Sequence, residues 1–106
     1  MPVMAIYRSA DVSADDYRAF RAKLPLVAAP RGALVHAHGA KDSGFVTVEI
    51  WEDRGALDHF LDDVLGPTVQ SMGLPMILPE VIEVDDFVVT DGVHGREIPY
   101  GTLQPA

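Results

Sequence analysis

Hydrophobic positions along this chain follow two spacings in turn, and each change of spacing marks a boundary. Val3 to Arg8 is a short apolar run that predicts a first strand, ended by Asp11-Val12-Ser13. Tyr17, Phe20 and Leu24 then recur at helical spacing and predict a helix with Arg18, Arg21 and Lys23 turned outward. Ser13 with Asp16 approximates a capping box, and Asp15 and Asp16 suit the positive end of the helix dipole. Pro25 stops the helix, and Leu26 to Pro30 is a connector. Gly32 to Gly39 predicts a second strand, Lys41-Asp42-Ser43-Gly44 a turn, and Phe45 to Trp51 a third strand, so the two strands form a hairpin. Asp53 caps a second helix from about Arg54 to Leu65, whose buried stripe is Leu57, Phe60, Leu61, Val64 and Leu65. Gly66-Pro67 breaks that helix. Pro67 begins a shorter helical piece that Gly73 closes, and Leu74 to Pro79, with its prolines, is a loop. Val81 to Val89 predicts the last strand, interrupted at Asp85-Asp86.

The order β-α-β-β-α-β is the ferredoxin-like arrangement, an α+β fold made of two split βαβ units. Right-handed crossovers place both helices on one face of the sheet. The other face also needs cover. In the third strand Val46, Val48 and Ile50 alternate with Phe45, Thr47, Glu49 and Trp51, and neither side is plainly polar. The first strand is apolar on both sides as well, with Met4 and Ile6 against Val3, Ala5 and Tyr7. Strands apolar on both faces are covered on both, and a second copy's sheet is the simplest second cover. A homodimer is therefore expected. Residues 1–90 form the one domain, and residues 91–106, rich in Gly and Pro without periodicity, form a tail expected to be frayed or draped over the partner.

Composition narrows the function classes. A chain of 106 residues buries only about 65% of the surface its unfolded form exposes, so a dimer interface would help it. The formal net charge of −8 argues against nucleic-acid phosphates or an anionic membrane as partners. With no cysteine, thiol nucleophiles, disulfides and zinc-thiolate sites are excluded. The start Met1-Pro2-Val3-Met4 shows no secretory pattern and no apolar segment is long enough to cross a bilayer, so a cytoplasmic location is expected.

The run VEIWEDRGALDHFLDDVLGP, with the later MGLP, resembles the antibiotic biosynthesis monooxygenase-like group of the dimeric α/β-barrel superfamily, most closely its small bacterial members without assigned function. The resemblance is specific between Phe45 and Pro75. It implies two ferredoxin-like sheets packed into a barrel, a ligand cavity in each subunit, and a range of activities: cofactor-free monooxygenases, haem-degrading monooxygenases, polyketide cyclases, and stress proteins without chemistry. Trp51 matches the strand Trp of the cofactor-free oxygenases, but Thr47 stands where they carry Asn, and no Arg matches theirs. Haem-degrading members carry a His where this chain has Leu61; His59 is two residues short, about 200° around the helix. The resemblance therefore implies a small-molecule enzyme, cofactor-independent, with an activated aromatic or polyketide-like substrate, rather than a haem enzyme.

The residues that carry chemistry sit on the hairpin. If the turn is centred on Asp42-Ser43, His36 lies opposite Glu49, His38 opposite Thr47 and Leu34 opposite Trp51, with Cβ atoms ~5 Å apart in each pair. One face then presents His36, His38, Thr47, Glu49 and Trp51, with Tyr7 on the adjoining strand. A His held by a carboxylate has its tautomer fixed and suits a general base, so His36 and Glu49 are the candidate catalytic pair. Tyr7, His38, Thr47 and Trp51 are the candidate substrate-binding residues, Trp51 as a flat apolar wall. The bland alternative is a satisfied polar contact at an interface or cavity rim. A His-x-His strand pair with a Glu is a weak metal signal, and no metal or cofactor is expected. The candidate functions are an oxygenase in which His36 deprotonates a phenol, a cyclase or isomerase in which His36 and Tyr7 handle enol protons, and a binding dimer without turnover. His59, Asp58, Asp62 and Asp63 are expected to be a solvated helix face, with His94 exposed and Tyr100 packed on a neighbouring subunit.

Overall fold

A computed structural model of the chain, describing residues 1–24 and 29–95, shows one antiparallel sheet with helices on one face. The strands are β1 (Val3–Ser9), β2 (Ala33–Lys41), β3 (Gly44–Trp51) and β4 (Glu80–Glu83), in the spatial order β2-β3-β1-β4. With α1 (Ala14–Lys23) between β1 and β2, and the second helical region between β3 and β4, this is the expected ferredoxin-like βαββαβ fold.

Both helix starts are capped as the sequence indicates. Ser13 Oγ accepts from the Asp16 backbone N–H at 3.1 Å, and Asp53 Oδ1 accepts from the Ala56 N–H at 2.8 Å. The second helix differs from expectation beyond its first turns. It runs as α2 (Arg54–Phe60), passes into a π-helical turn at Leu61–Leu65, and continues without a break as α3 (Gly66–Ser71). Pro67 explains the π turn. Its ring would collide with the carbonyl four residues back in a regular helix, and widening the preceding turn gives it room.

The last strand is shorter than its apolar pattern. It spans only Glu80–Glu83, because its partner β1 begins at Val3, which already pairs with Glu83. One further bond, Val84 N–H to the Pro2 carbonyl at 3.0 Å, ends the ladder. Phe87, Val88 and Val89 consequently lie exposed. Pro25 with most of the Leu26 to Pro30 connector, and residues 96–106 of the tail with Tyr100, lie outside the described residues. Arg18 and Lys23 face outward as expected, but Arg21 does not: it is only 7% exposed. It falls four residues after Tyr17, on the stripe that α1 presses against the sheet.

The core lies between helices and sheet. Val3, Ala5, Tyr7, Phe45 and Trp51 from the sheet meet Tyr17, Phe20, Leu57, Phe60, Leu65 and Val69 from the helices. The opposite face carries Met4, Ile6, Val46, Val48 and Ile50, all half-buried, with Val35 and Ile82 exposed on the flanking strands. Among the described residues no helix is long and apolar enough to cross a membrane.

Candidate functional site

The hairpin sets the site. A two-residue connection, Asp42-Ser43, with Asp42 at a φ of 53°, joins β2 to β3 and fixes the register. His36 pairs with Glu49 and His38 with Thr47, as expected. The third expected pair differs. A bulge between Ala33 and Val35 puts Ala33, not Leu34, opposite Trp51, and Leu34 lies exposed. The bulge is rooted at Gly32, whose φ of 84° and whose carbonyl, accepting from the Glu52 N–H at 2.8 Å, hold the strand entrance out of step.

A connected chain of polar groups runs across the helix-facing side of the sheet. The Trp51 indole N–H donates to Glu49 Oε1 at 3.1 Å, and Glu49 Oε2 lies 3.1 Å from His36 Nδ1. His36 Nε2 lies 3.2 Å from the Tyr17 hydroxyl. An indole N–H can only donate, which makes Oε1 an acceptor. In the neutral ring, a carboxylate that accepts at both oxygens places the His36 proton on Nδ1 and leaves Nε2 to accept from the Tyr17 O–H. Glu49 is 6% exposed and Trp51 1%, so this end of the chain is sealed from water.

His38 forms a second, outer layer. Its Nδ1 lies 2.9 Å from Thr47 Oγ1, and its ring stacks on Tyr17 with centroids 3.6 Å apart and planes 4° from parallel. The other side of His38 is open to solvent. Its pKa is lowered, first because partial burial strips water from the charged ring, then by the electrostatic influence of its neighbours His36, Arg21 and Arg18. Tyr17 is thus gripped from two directions: its ring by His38 and Phe45, its hydroxyl by His36.

These groups border a cavity of about 70 Å³ between the sheet and the helices. Tyr7, His36, Thr47 and Glu49 line it from the sheet, Tyr17, Phe20 and Arg21 from α1, and Leu74, Pro75, Met76 and Ile77 close it from the loop before β4. The remaining wall, including Phe60, Leu65 and Val69, is apolar. Trp51 and His38 are not part of the wall: Trp51 packs behind it against Phe60, and His38 lies outside Tyr17. Sequence reasoning missed Tyr17 and Arg21. Both sit at i and i+4 on α1, and that spacing, with a charged residue inside an apolar stripe, was the available signal.

Among the described residues no group of three or more His, Cys, Asp or Glu side chains is placed to hold a metal ion. His59 instead lies 2.9 Å from Asp63 on the exposed helix face.

No family model matches the chain, and no curated protein matches it. Among solved structures it is similar to SnoaB, a cofactor-independent oxygenase from Streptomyces nogalater crystallised as a single-residue variant, with a TM-score of 0.48 and 18% identity over 82% of this chain and 96% of that one.

Proposed function

We propose that this protein is a small-molecule enzyme that removes a proton from an acidic O–H or C–H group of a ligand bound in the cavity. One observation carries the reading: the hydrogen-bonded chain Trp51–Glu49–His36–Tyr17 reaches from the sealed core to an apolar cavity wall. Such a wall with a few convergent polar groups is the usual character of a small-molecule site. Glu49 holds the His36 tautomer and balances the imidazolium that forms. The proton reaches His36 Nε2 through Tyr17: the phenol oxygen takes the ligand's proton as its own moves to the imidazole. The products are an enolate or phenolate and a His36 imidazolium paired with Glu49, and charge is conserved.

The fate of the anion separates two reactions. Reaction of the anion with molecular oxygen, on an activated aromatic or polyketide-like substrate, is the cofactor-independent oxygenase that the Phe45–Pro75 resemblance implies. Reprotonation at another atom is the cyclase or isomerase. Solvent-deuterium exchange into a panel of β-dicarbonyls and hydroquinones, read by NMR beside an oxygen electrode, tests both. Exchange should fall by roughly 10²–10⁴ in His36→Gln, the usual contribution of a positioned base. Full exchange in a folded His36→Gln protein would sink the reading, and turnover without oxygen uptake would leave only the isomerase branch.

The small cavity volume favours a second reading, a dimer without turnover. The two readings part on turnover: chemical-shift changes at Leu74–Ile77 report ligand entry in either case, and entry without any deuterium exchange or oxygen uptake would leave only the second. In both readings the half-buried apolar face of Met4, Ile6, Val46, Val48 and Ile50 is the homodimer contact. Val48→Lys should then give a monomer by sedimentation; an unchanged mass would reject that contact.

A further inference from the structure

Two sets of polar groups border the cavity, and they differ in their access to water. In the first, His36 Nδ1 lies 3.1 Å from Glu49 Oε2 and His36 Nε2 lies 3.2 Å from the Tyr17 hydroxyl, so a proton held by the ring is passed on through those partners. Both partners are buried, and beyond Glu49 the set ends at Trp51, deep in the core. The second set runs the other way. Thr47 is a buried residue of the cavity wall, its Oγ1 lies 2.9 Å from His38 Nδ1, and His38 is exposed. One hydroxyl and one imidazole thus connect the cavity wall to bulk water.

Both members of this second set have the chemistry to pass a proton along. A hydroxyl accepts a hydrogen bond while donating another. A neutral imidazole gains a proton at one nitrogen as it loses one at the other. Partial burial lowers the His38 pKa, which keeps its ring in that neutral form at neutral pH. Stacking on Tyr17, with centroids 3.6 Å apart, holds the ring against Thr47.

We propose that Thr47 and His38 are an acid arm fed by solvent; this rests on the proton-transfer reading above and adds a proton donor to its base. As the ligand's C–H proton passes through Tyr17 to His36, a solvent proton enters at His38 Nε2, the Nδ1 proton moves to Thr47 Oγ1, and the Thr47 O–H proton goes to the ligand's carbonyl oxygen. The electron pair of the broken C–H bond becomes the C=C bond of the enol, and the carbonyl π pair forms the new O–H bond. One proton enters from solvent and one stays on His36, until the enol leaves and Tyr17 returns it to the water that refills the cavity. The ligand class is a neutral carbonyl compound with an acidic C–H beside the carbonyl.

Acetylacetone, a compact β-diketone whose enol absorbs in the ultraviolet, is the probe. Keto–enol relaxation is followed at neutral pH in dilute buffer, with the spontaneous rate subtracted. The native protein should accelerate it and show a primary isotope effect with the diketone deuterated at its central carbon, because C–H cleavage is the slow step. His38→Phe keeps an aromatic face on Tyr17, and Thr47→Val keeps the side chain's shape; in each the rate should fall roughly tenfold or more. The isotope effect should shrink towards unity in both, because cleavage becomes reversible and oxygen protonation becomes slow. Added imidazole should restore the His38→Phe rate, and Thr47→Ser should keep most of the native rate. A packing defect would instead lower the rate with the isotope effect intact and no rescue by imidazole; that result, or a full rate in either folded variant, would overturn the proposal. Acceleration that needs His36 but neither His38 nor Thr47 would refute the acid arm alone. Acceleration indifferent to His36→Gln, or none by the native protein, would refute the proton-transfer reading and the acid arm together.

Discussion

Glu49→Gln tests the internal order of the site without changing its volume. Glu49 accepts from Trp51 at one oxygen and from His36 at the other, both at 3.1 Å, in a position 6% exposed. An amide offers one acceptor and one donor. The indole N–H must still be accepted, so the amide oxygen stays with Trp51 and the NH₂ group turns to His36 Nδ1. Nδ1 then has to accept, and the ring proton moves to Nε2, where it points at the Tyr17 oxygen. A bond to a charged group, worth about 1.5–3 kcal/mol, becomes a neutral one worth about 0.5–1.5 kcal/mol. Relief of the buried carboxylate's desolvation offsets part of that loss, leaving a net destabilisation of about 1 kcal/mol. For a domain of this size that lowers Tm by roughly 4–8 °C. Proton transfer falls much further, by roughly 10²–10⁴, because Nε2 no longer accepts. Long-range ¹H–¹⁵N NMR distinguishes protonated from unprotonated ring nitrogens, and the expected result is Nδ1–H in the native protein and Nε2–H in the variant. The same tautomer in both would refute the argument, whatever happens to activity.

Other perturbations give different signatures. Trp51→Phe removes a donor to Glu49 and part of a fully buried ring, and should cost about 2–4 kcal/mol in denaturant unfolding while leaving His36 protonated on Nδ1. His38 has a folded pKa below its ordinary 6.5, chiefly through burial, so the unfolded chain takes up that proton first on acidification. Its contribution to stability is whole above about pH 6.5 and is lost as pH falls towards the lowered folded value; His38→Gln should therefore flatten the Tm–pH slope between about pH 7 and pH 5, and an equal slope would contradict this. At Gly44 an added Cβ would lie 1.7 Å from the Ser9 carbonyl oxygen, so Gly44→Ala should destabilise by about 2–4 kcal/mol, whereas Gly39, with nothing within 4 Å, should accept Ala at a cost under about 0.5 kcal/mol.

The half of the site on the sheet was legible in the sequence because strand pairing is discrete. Once Asp42-Ser43 is taken as the turn, period-two alternation places His36 beside Glu49 and His38 beside Thr47 with no further freedom. The same logic failed at Leu34, where the left-handed Gly32 inserts a bulge that alternation does not encode. It failed again for β4, whose apolar residues outrun the partner strand; the limit was set by where β1 begins, not by anything in β4 itself. The half on α1 was harder to read for a different reason. A helix shows which residues share a stripe but not how deep the stripe sits, and Arg on an apolar stripe usually extends its charged end to water. Here α1 lies close enough to the sheet to keep Arg21 inside and to bring the Tyr17 hydroxyl to His36. The two halves therefore have different susceptibilities. Changes that shift α1 relative to the sheet separate Tyr17 from His36 while leaving the His36–Glu49 pair intact, since the pair lies within one hairpin. Phe20→Ala is such a change: it should weaken proton transfer through the lost Tyr17 contact yet leave the His36 tautomer in place, and a tautomer that altered with it would show that the hairpin does not hold the pair on its own.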